Sequence, residues 1–170
     1  MNPQQSDVKN ILLVEDDPRD VQMTLAALDE LHLANGILVV HDGAEALDYL
    51  CHRGKFKGRL PGHPVVVLLD NKMPKVSGLE VLKTMKADVE LKTIPVVVLT
   101  SSRETSDSKE FYQLGVNSYV VKPVDLADFV AAVKVVGVFW GTVNERPHET
   151  GRKEAAGHSG RTVLLERKGA

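Results

Sequence analysis

Two hydrophobic patterns alternate along the chain from about residue 10 to about residue 140. The first is a short unbroken apolar run. It occurs at Ile11-Leu12-Leu13-Val14, Ile37-Leu38-Val39-Val40, Val65-Val66-Val67-Leu68-Leu69, Val96-Val97-Val98-Leu99 and Tyr119-Val120-Val121. Runs without polar alternation read as strands buried on both faces of a parallel sheet. The second pattern has apolar residues at helical spacing: Val21, Leu25, Leu28 and Leu31; Ala46, Leu47 and Leu50; Leu79, Val81, Leu82 and Met85; Phe111 and Leu114; and a last stretch from Phe129 to Trp140 or Asn144. Parallel strands need crossover connections, so this alternation predicts an α/β fold, a doubly wound five-stranded parallel sheet flanked by helices.

Local signals set the boundaries. Asp17 is placed as an N-cap with Pro18 at the first helical position. Asn35-Gly36 is expected to close the first helix, and Asp42-Gly43 to form a turn. Ser77-Gly78 introduces the third helix, Pro95 opens the fourth strand, Gly115 ends the fourth helix and Asp125 caps the last. A basic, glycine-rich loop, His52-Arg53-Gly54-Lys55-Phe56-Lys57-Gly58-Arg59, precedes the third strand. Residues 145–170 are polar apart from Val163-Leu164-Leu165 and read as a flexible tail, leaving one domain over 8–144.

Composition narrows the function classes. Apolar residues make up 43% of 170, enough for a core, and a formal charge of −2 offers no basic field for nucleic acid. Cys51 is alone, which fits a reducing compartment and a small buried hydrophobe. The polar start lacks a signal-peptide core and no run is long enough to span a membrane, so the expectation is a soluble cytoplasmic protein. The six histidines show no metal-ligand spacing.

The chemistry lies at the strand ends. Glu15 and Asp16 follow the first apolar run, Asp70 the third, Thr100 the fourth and Lys122 the fifth. The carboxyl ends of strands line the ligand crevice of open α/β sheets. Three acids, a hydroxyl and an amine therefore converge, a set suited to a divalent cation and a phosphoryl group. Each residue alone has a plainer reading: a cap, a solvated turn or a surface lysine. Together they favour a site. The chain has no Gly-x-x-x-x-Gly-Lys-Ser/Thr loop, no Gly-x-Gly-x-x-Gly after the first strand and no Gly-x-Ser-x-Gly.

Four segments, Leu12 to Pro18, Leu69 to Pro74 with Gly78, Leu99 to Ser102 and Tyr119 to Pro123, resemble in order the response-regulator receiver domains of two-component signalling. The resemblance implies that Asp70 is the phosphoacceptor. It implies that Glu15, Asp16, Asp70 and the Lys72 backbone carbonyl hold Mg²⁺, and that Thr100, Lys122 and Tyr119 bind the phosphoryl group and switch. It also implies a cis Lys122-Pro123 bond. Lys72 and Ser102, two residues past Asp70 and Thr100, are expected to tune phosphoryl lifetime. The basic loop and Glu15 are similar to one branch, the single-domain regulators of bacterial and cyanobacterial phytochrome histidine kinases, which implies such a kinase as partner. Two alternatives remain: a pseudo-receiver serving as a constitutive protein-binding module, and a Mg²⁺-dependent phosphatase or phosphotransferase.

The last helix carries excess apolar character. Phe129, Val130, Val133, Val136, Phe139 and Trp140 are expected to face the sheet side, while Val135 and Val138 lie on other faces. A helix covering a sheet needs only one apolar stripe. Val135, Val138, Phe139 and Trp140 are therefore expected in a homodimer interface.

Overall fold

A computed structural model describes residues 10–32, 36–101, 105–123 and 125–143. The expected tail over 145–170, together with Asn35, Ser102 and Asn144, lies outside the described residues. The elements are β1 (Ile11–Val14), α1 (Pro18–Asp29), β2 (Ile37–Val40), α2 (Gly43–Leu50), β3 (Val66–Leu69), α3 (Gly78–Ala87), β4 (Val96–Thr100), α4 (Thr105–Gln113), β5 (Ser118–Val121) and α5 (Leu126–Val138). The five strands form one sheet in the order β2-β1-β3-β4-β5, every pair parallel.

Alternate residues of the central strands supply two cores, because successive side chains point to opposite faces. Leu12, Val14, Val67, Leu69, Val96 and Val98 pack with Leu82, Met85 and Phe111. Ile11, Leu13, Val66, Leu68, Val97 and Leu99 pack with Leu28, Phe129 and Val133. Covering both faces explains the unbroken apolar runs, since each fully buried aliphatic side chain contributes about 1.5–3 kcal/mol.

Register sets the positions of the strand ends. Val14 lies opposite Leu69 and Val40, and Thr100 opposite Val121. The ladder runs one residue further: Glu15 N–H donates to Val40 O at 3.0 Å, Asp70 N–H to Val14 O at 2.9 Å and Lys122 N–H to Thr100 O at 2.7 Å. Glu15, Asp70 and Lys122 are thus each fixed by a backbone bond to a neighbouring strand.

The expected caps form at Asp17 and Asp125, and Ser77, expected to introduce α3, caps it in a full capping box with Glu80. Several boundaries differ from expectation. Helix α1 stops at Asp29, well before Gly36. His32 takes a left-handed φ of 57° and its N–H bonds Asp29 O, so the chain leaves the helix in a tight turn that keeps Leu31 against the core. Asp42 is an N-cap rather than a turn residue, and its side chain accepts from Glu45 N–H at 2.8 Å. Gly43 is required there, because a Cβ would sit 2.2 Å from Val76 O. The Lys122-Pro123 bond is trans, as is every peptide bond among the described residues; the lysine reaches the site without a cis turn.

Helix α5 continues into a π-helical turn, Phe139–Val143. Phe129 and Val133 are buried, and Val130, Val136 and Trp140 pack partly against the same core. Phe139 does not face the sheet as expected. It follows Val135 by four residues, shares that outer face and is 48% exposed, with its ring edge-on to Trp140. Val135, Val138 and Val143 are exposed beside it. Among the described residues no helix is long and apolar enough to cross a membrane.

Candidate functional site

The register brings the sequence-predicted acids together. Carboxylate oxygens of Glu15, Asp16 and Asp70 lie within 4.8 Å of one another. Glu15 and Asp70 are buried, at 4% and 6% exposure, whereas Asp16 is exposed. Asp70 Oδ2 accepts from Lys72 N–H at 2.9 Å, and Lys122 Nζ lies 3.2 Å from Asp70 Oδ1. Glu15 accepts from Asp17 N–H at 3.2 Å and from Lys122 Nζ at 2.6 Å.

Burial and charge decide the protonation of this cluster. Burial pushes the Glu15 carboxyl from its ordinary 4.5 to about 7; Lys122 opposes the shift and the charge of Asp70 adds to it. Burial also raises Asp70, against the pull of Lys122 and the Lys72 N–H. For Lys122, burial works to lower the pKa, but hydrogen bonds to Asp20 and Glu15 and the charge of Asp70 outweigh it and hold the ammonium protonated well above the usual range. One ammonium thus serves several carboxylates, and the two buried acids remain undercompensated. Three clustered carboxylates with an exposed member suit a hard divalent cation that keeps some of its waters.

The loop after β3 is fastened at several points. Gly78 N–H donates to Asn71 O at 3.0 Å. A Cβ on Gly78 would meet Asp70 O at 2.2 Å, so only glycine lets α3 start this close to the site. Lys75, with a left-handed φ of 64°, reaches Asp42 at 2.5 Å and ties the loop to the start of α2. Thr100 is fully buried at the end of β4. Tyr119 on β5 is half-buried, with its ring 5.6 Å from that of Phe111. Ser102 cannot be placed beside them, because it lies outside the described residues.

Sequence reasoning missed Asp20. Its Oδ2 accepts from Lys122 Nζ at 2.5 Å, across 102 residues of sequence. An acid in the first turn of a helix reads as a favourable end charge, which hid this partner. The Lys75–Asp42 tie was missed for a similar reason, since each residue alone reads as part of a turn.

The family profile of the response regulator receiver domain matches residues 11–134. A solved structure of the bacteriophytochrome response regulator RtBRR is 55% identical, covering 82% of this chain and 84% of its own, with a TM-score of 0.66. The phosphorylated cyanobacterial phytochrome response regulator RcpA is 36% identical over 81% of this chain and 96% of its own, with a TM-score of 0.75. The response regulator Rcp1 of Synechocystis is 34% identical over 140 residues, 82% of this chain and 94% of its own. The Mn(2+)-bound form of Rcp1 superposes with a TM-score of 0.74, covering 82% of this chain and 99% of its own. Profile, identity and sheet order agree: the chain belongs to the response regulator receiver family of two-component signalling.

Proposed function

We propose that Asp70 accepts a phosphoryl group from a sensor histidine kinase, and that the fold then switches. One observation carries the assignment: Asp70 is a buried strand-end carboxylate, level with Glu15 and Asp16 and 3.2 Å from the Lys122 ammonium. A carboxylate can act as the nucleophile when the charge around it is neutralised. Glu15, Asp16, Asp70 and the Lys72 carbonyl would hold the cation, which we take to be Mg²⁺. When bound, it supplies positive charge to the carboxylates and to the phosphoryl oxygens. Asp70 Oδ1 attacks phosphorus, while Oδ2 stays oriented by the Lys72 N–H. Lys122 offers its ammonium and Thr100 its hydroxyl to phosphoryl oxygens.

The phosphoryl group adds about −1.5 to −2 charge by analogy with other phosphorylated side chains. Thr100 moves toward it and Tyr119 turns into the space vacated beside Phe111, a shift between two states of the fold. Lys72 and Ser102 set the phosphoryl lifetime. The protein acts on no external substrate; it promotes only its own phosphorylation and dephosphorylation, in the cytoplasm. The pseudo-receiver alternative gains no support from a site in which every residue type needed for the chemistry is present.

The phytochrome regulators RtBRR and RcpA support a phytochrome-type kinase as the partner. The exposed outer face at Val135, Val138 and Phe139 supports a homodimer. Trp140, expected in that interface, sits partly against its own core and would contribute only its exposed edge. The test is incubation with a small acyl phosphate and Mg²⁺, read by intact mass. One phosphoryl group is expected on wild type and none on Asp70→Asn; equal mass gain by both would overturn the assignment.

A further inference from the structure

Lys122 can donate three N–H groups; Asp20 at 2.5 Å and Glu15 at 2.6 Å accept hydrogen bonds from it, and Asp70 forms an ion pair with it at 3.2 Å. The ammonium leans away from the acceptor and toward Asp20. Asp20 differs from the other two partners. It stands on α1 rather than at a strand end, and it is not among the three carboxylates clustered within 4.8 Å. Its side chain is 24% exposed, against 5% for Glu15 and 7% for Asp70. A cation held by the clustered acids draws on Glu15 and Asp70, two of the three partners of Lys122. Asp20 is the partner left over. A buried ammonium deprived of every carboxylate is costly, and the Lys122 side chain is only 9% exposed.

We propose that Asp20 is a positioning residue. It holds Lys122 in the resting protein and yields it to a phosphoryl oxygen once Asp70 is modified. The chemical step itself is ordinary. An Asp70 Oδ–P bond forms as the bond from phosphorus to the donor's leaving group breaks, and that group departs with the electron pair. Asp20 neither bonds phosphorus nor transfers a proton. It enters through an exchange of partners at Nζ, which sets the cost of recruiting the lysine. This inference rests on Asp70 being the acceptor.

The test uses the full chain at saturating Mg²⁺, with beryllofluoride as the probe of the phosphorylated state. Asp20→Asn keeps the shape of the side chain but removes the charged resting contact without touching the phosphoryl contact. It should bind beryllofluoride about tenfold more tightly, the size expected for losing a hydrogen bond to a charged group. Asp20→Glu should return affinity to near the wild-type value. Asp17→Asn removes one charge from the same turn without contacting Lys122, and should change little. The ¹⁵Nζ resonance of Lys122 gives a reading independent of function: beryllofluoride should shift it in wild type, and Asp20→Asn should shift it already at rest. Wild-type affinity in Asp20→Asn, or equal tightening by Asp17→Asn, would overturn the proposal. If wild type itself fails to bind beryllofluoride, the reading of Asp70 falls and this proposal falls with it. A wild type that binds while Asp20→Asn binds no better sinks the proposal alone.

Discussion

Divalent-cation binding should strengthen with pH, with Glu15 setting the range. Glu15 is 4% exposed, and burial lifts its carboxyl from 4.5 to about 7 against the pull of Lys122. That rise corresponds to about 3 kcal/mol between the two protonation states. The unfolded chain loses this proton near 4.5, whereas the folded protein keeps it to about 7. The stability contributed by protonated Glu15 is therefore full below about 4.5 and is lost as pH rises through about 7 in the metal-free protein. A cation must displace the proton, so affinity should fall roughly tenfold for each pH unit below about 7 and level off above it. Asp70, also raised by burial, should steepen the fall. Calorimetric titration of Mg²⁺ between about pH 6 and pH 8, in buffers of different ionisation heat, reads both affinity and proton release. About tenfold weaker binding is expected at the acid end, with proton release there that fades at the alkaline end. Glu15→Gln should bind more weakly but lose most of the slope. Constant affinity across this range, with no proton released, would mean that Glu15 is already ionised before the cation binds.

Three other outcomes follow from the geometry. Gly78→Ala should destabilise the fold by about 1–3 kcal/mol and weaken Mg²⁺ binding, because its Cβ meets Asp70 O at 2.2 Å and Asn71 Cα at 2.9 Å; unchanged urea midpoints and Mg²⁺ affinity would count against the close approach. Thr100→Ala should still take up a phosphoryl group but lose the response at Tyr119. Phosphorylation-induced shifts of the Tyr119 ring signals that match wild type would reject that coupling. Sedimentation at micromolar concentration should show a dimer for wild type and a monomer for Val135→Glu, whose site is 70% exposed and so tolerates the charge in the monomer; a monomeric wild type would remove the homodimer.

The central fold was legible because strands buried on both faces leave an unmistakable apolar run. β1, β3 and β4 are buried at every position, and the polar residue ending each run marks the site edge. What escaped depends on contacts distant in sequence. Asp20 takes its meaning from a lysine 102 residues away. Gly43 reads as a turn until Val76 O is seen against it. The end of α1 turns on a left-handed His32, a conformation that no residue-type signal announces. Phe139 belongs to the stripe of Val135 rather than that of Val136 and Trp140, a difference of one position in a helix apolar nearly all round.

Asp70 is where the phosphoryl group should reside. Borohydride reduces an acyl phosphate to an alcohol, so trapping the Mg²⁺-dependent product and mapping its peptides by mass spectrometry reads the modified position directly. Homoserine is expected at position 70, with unmodified aspartate at positions 16 and 20. Modification at Asp16 or Asp20, or a phosphorylated protein whose position 70 remains aspartate after reduction, would contradict that assignment.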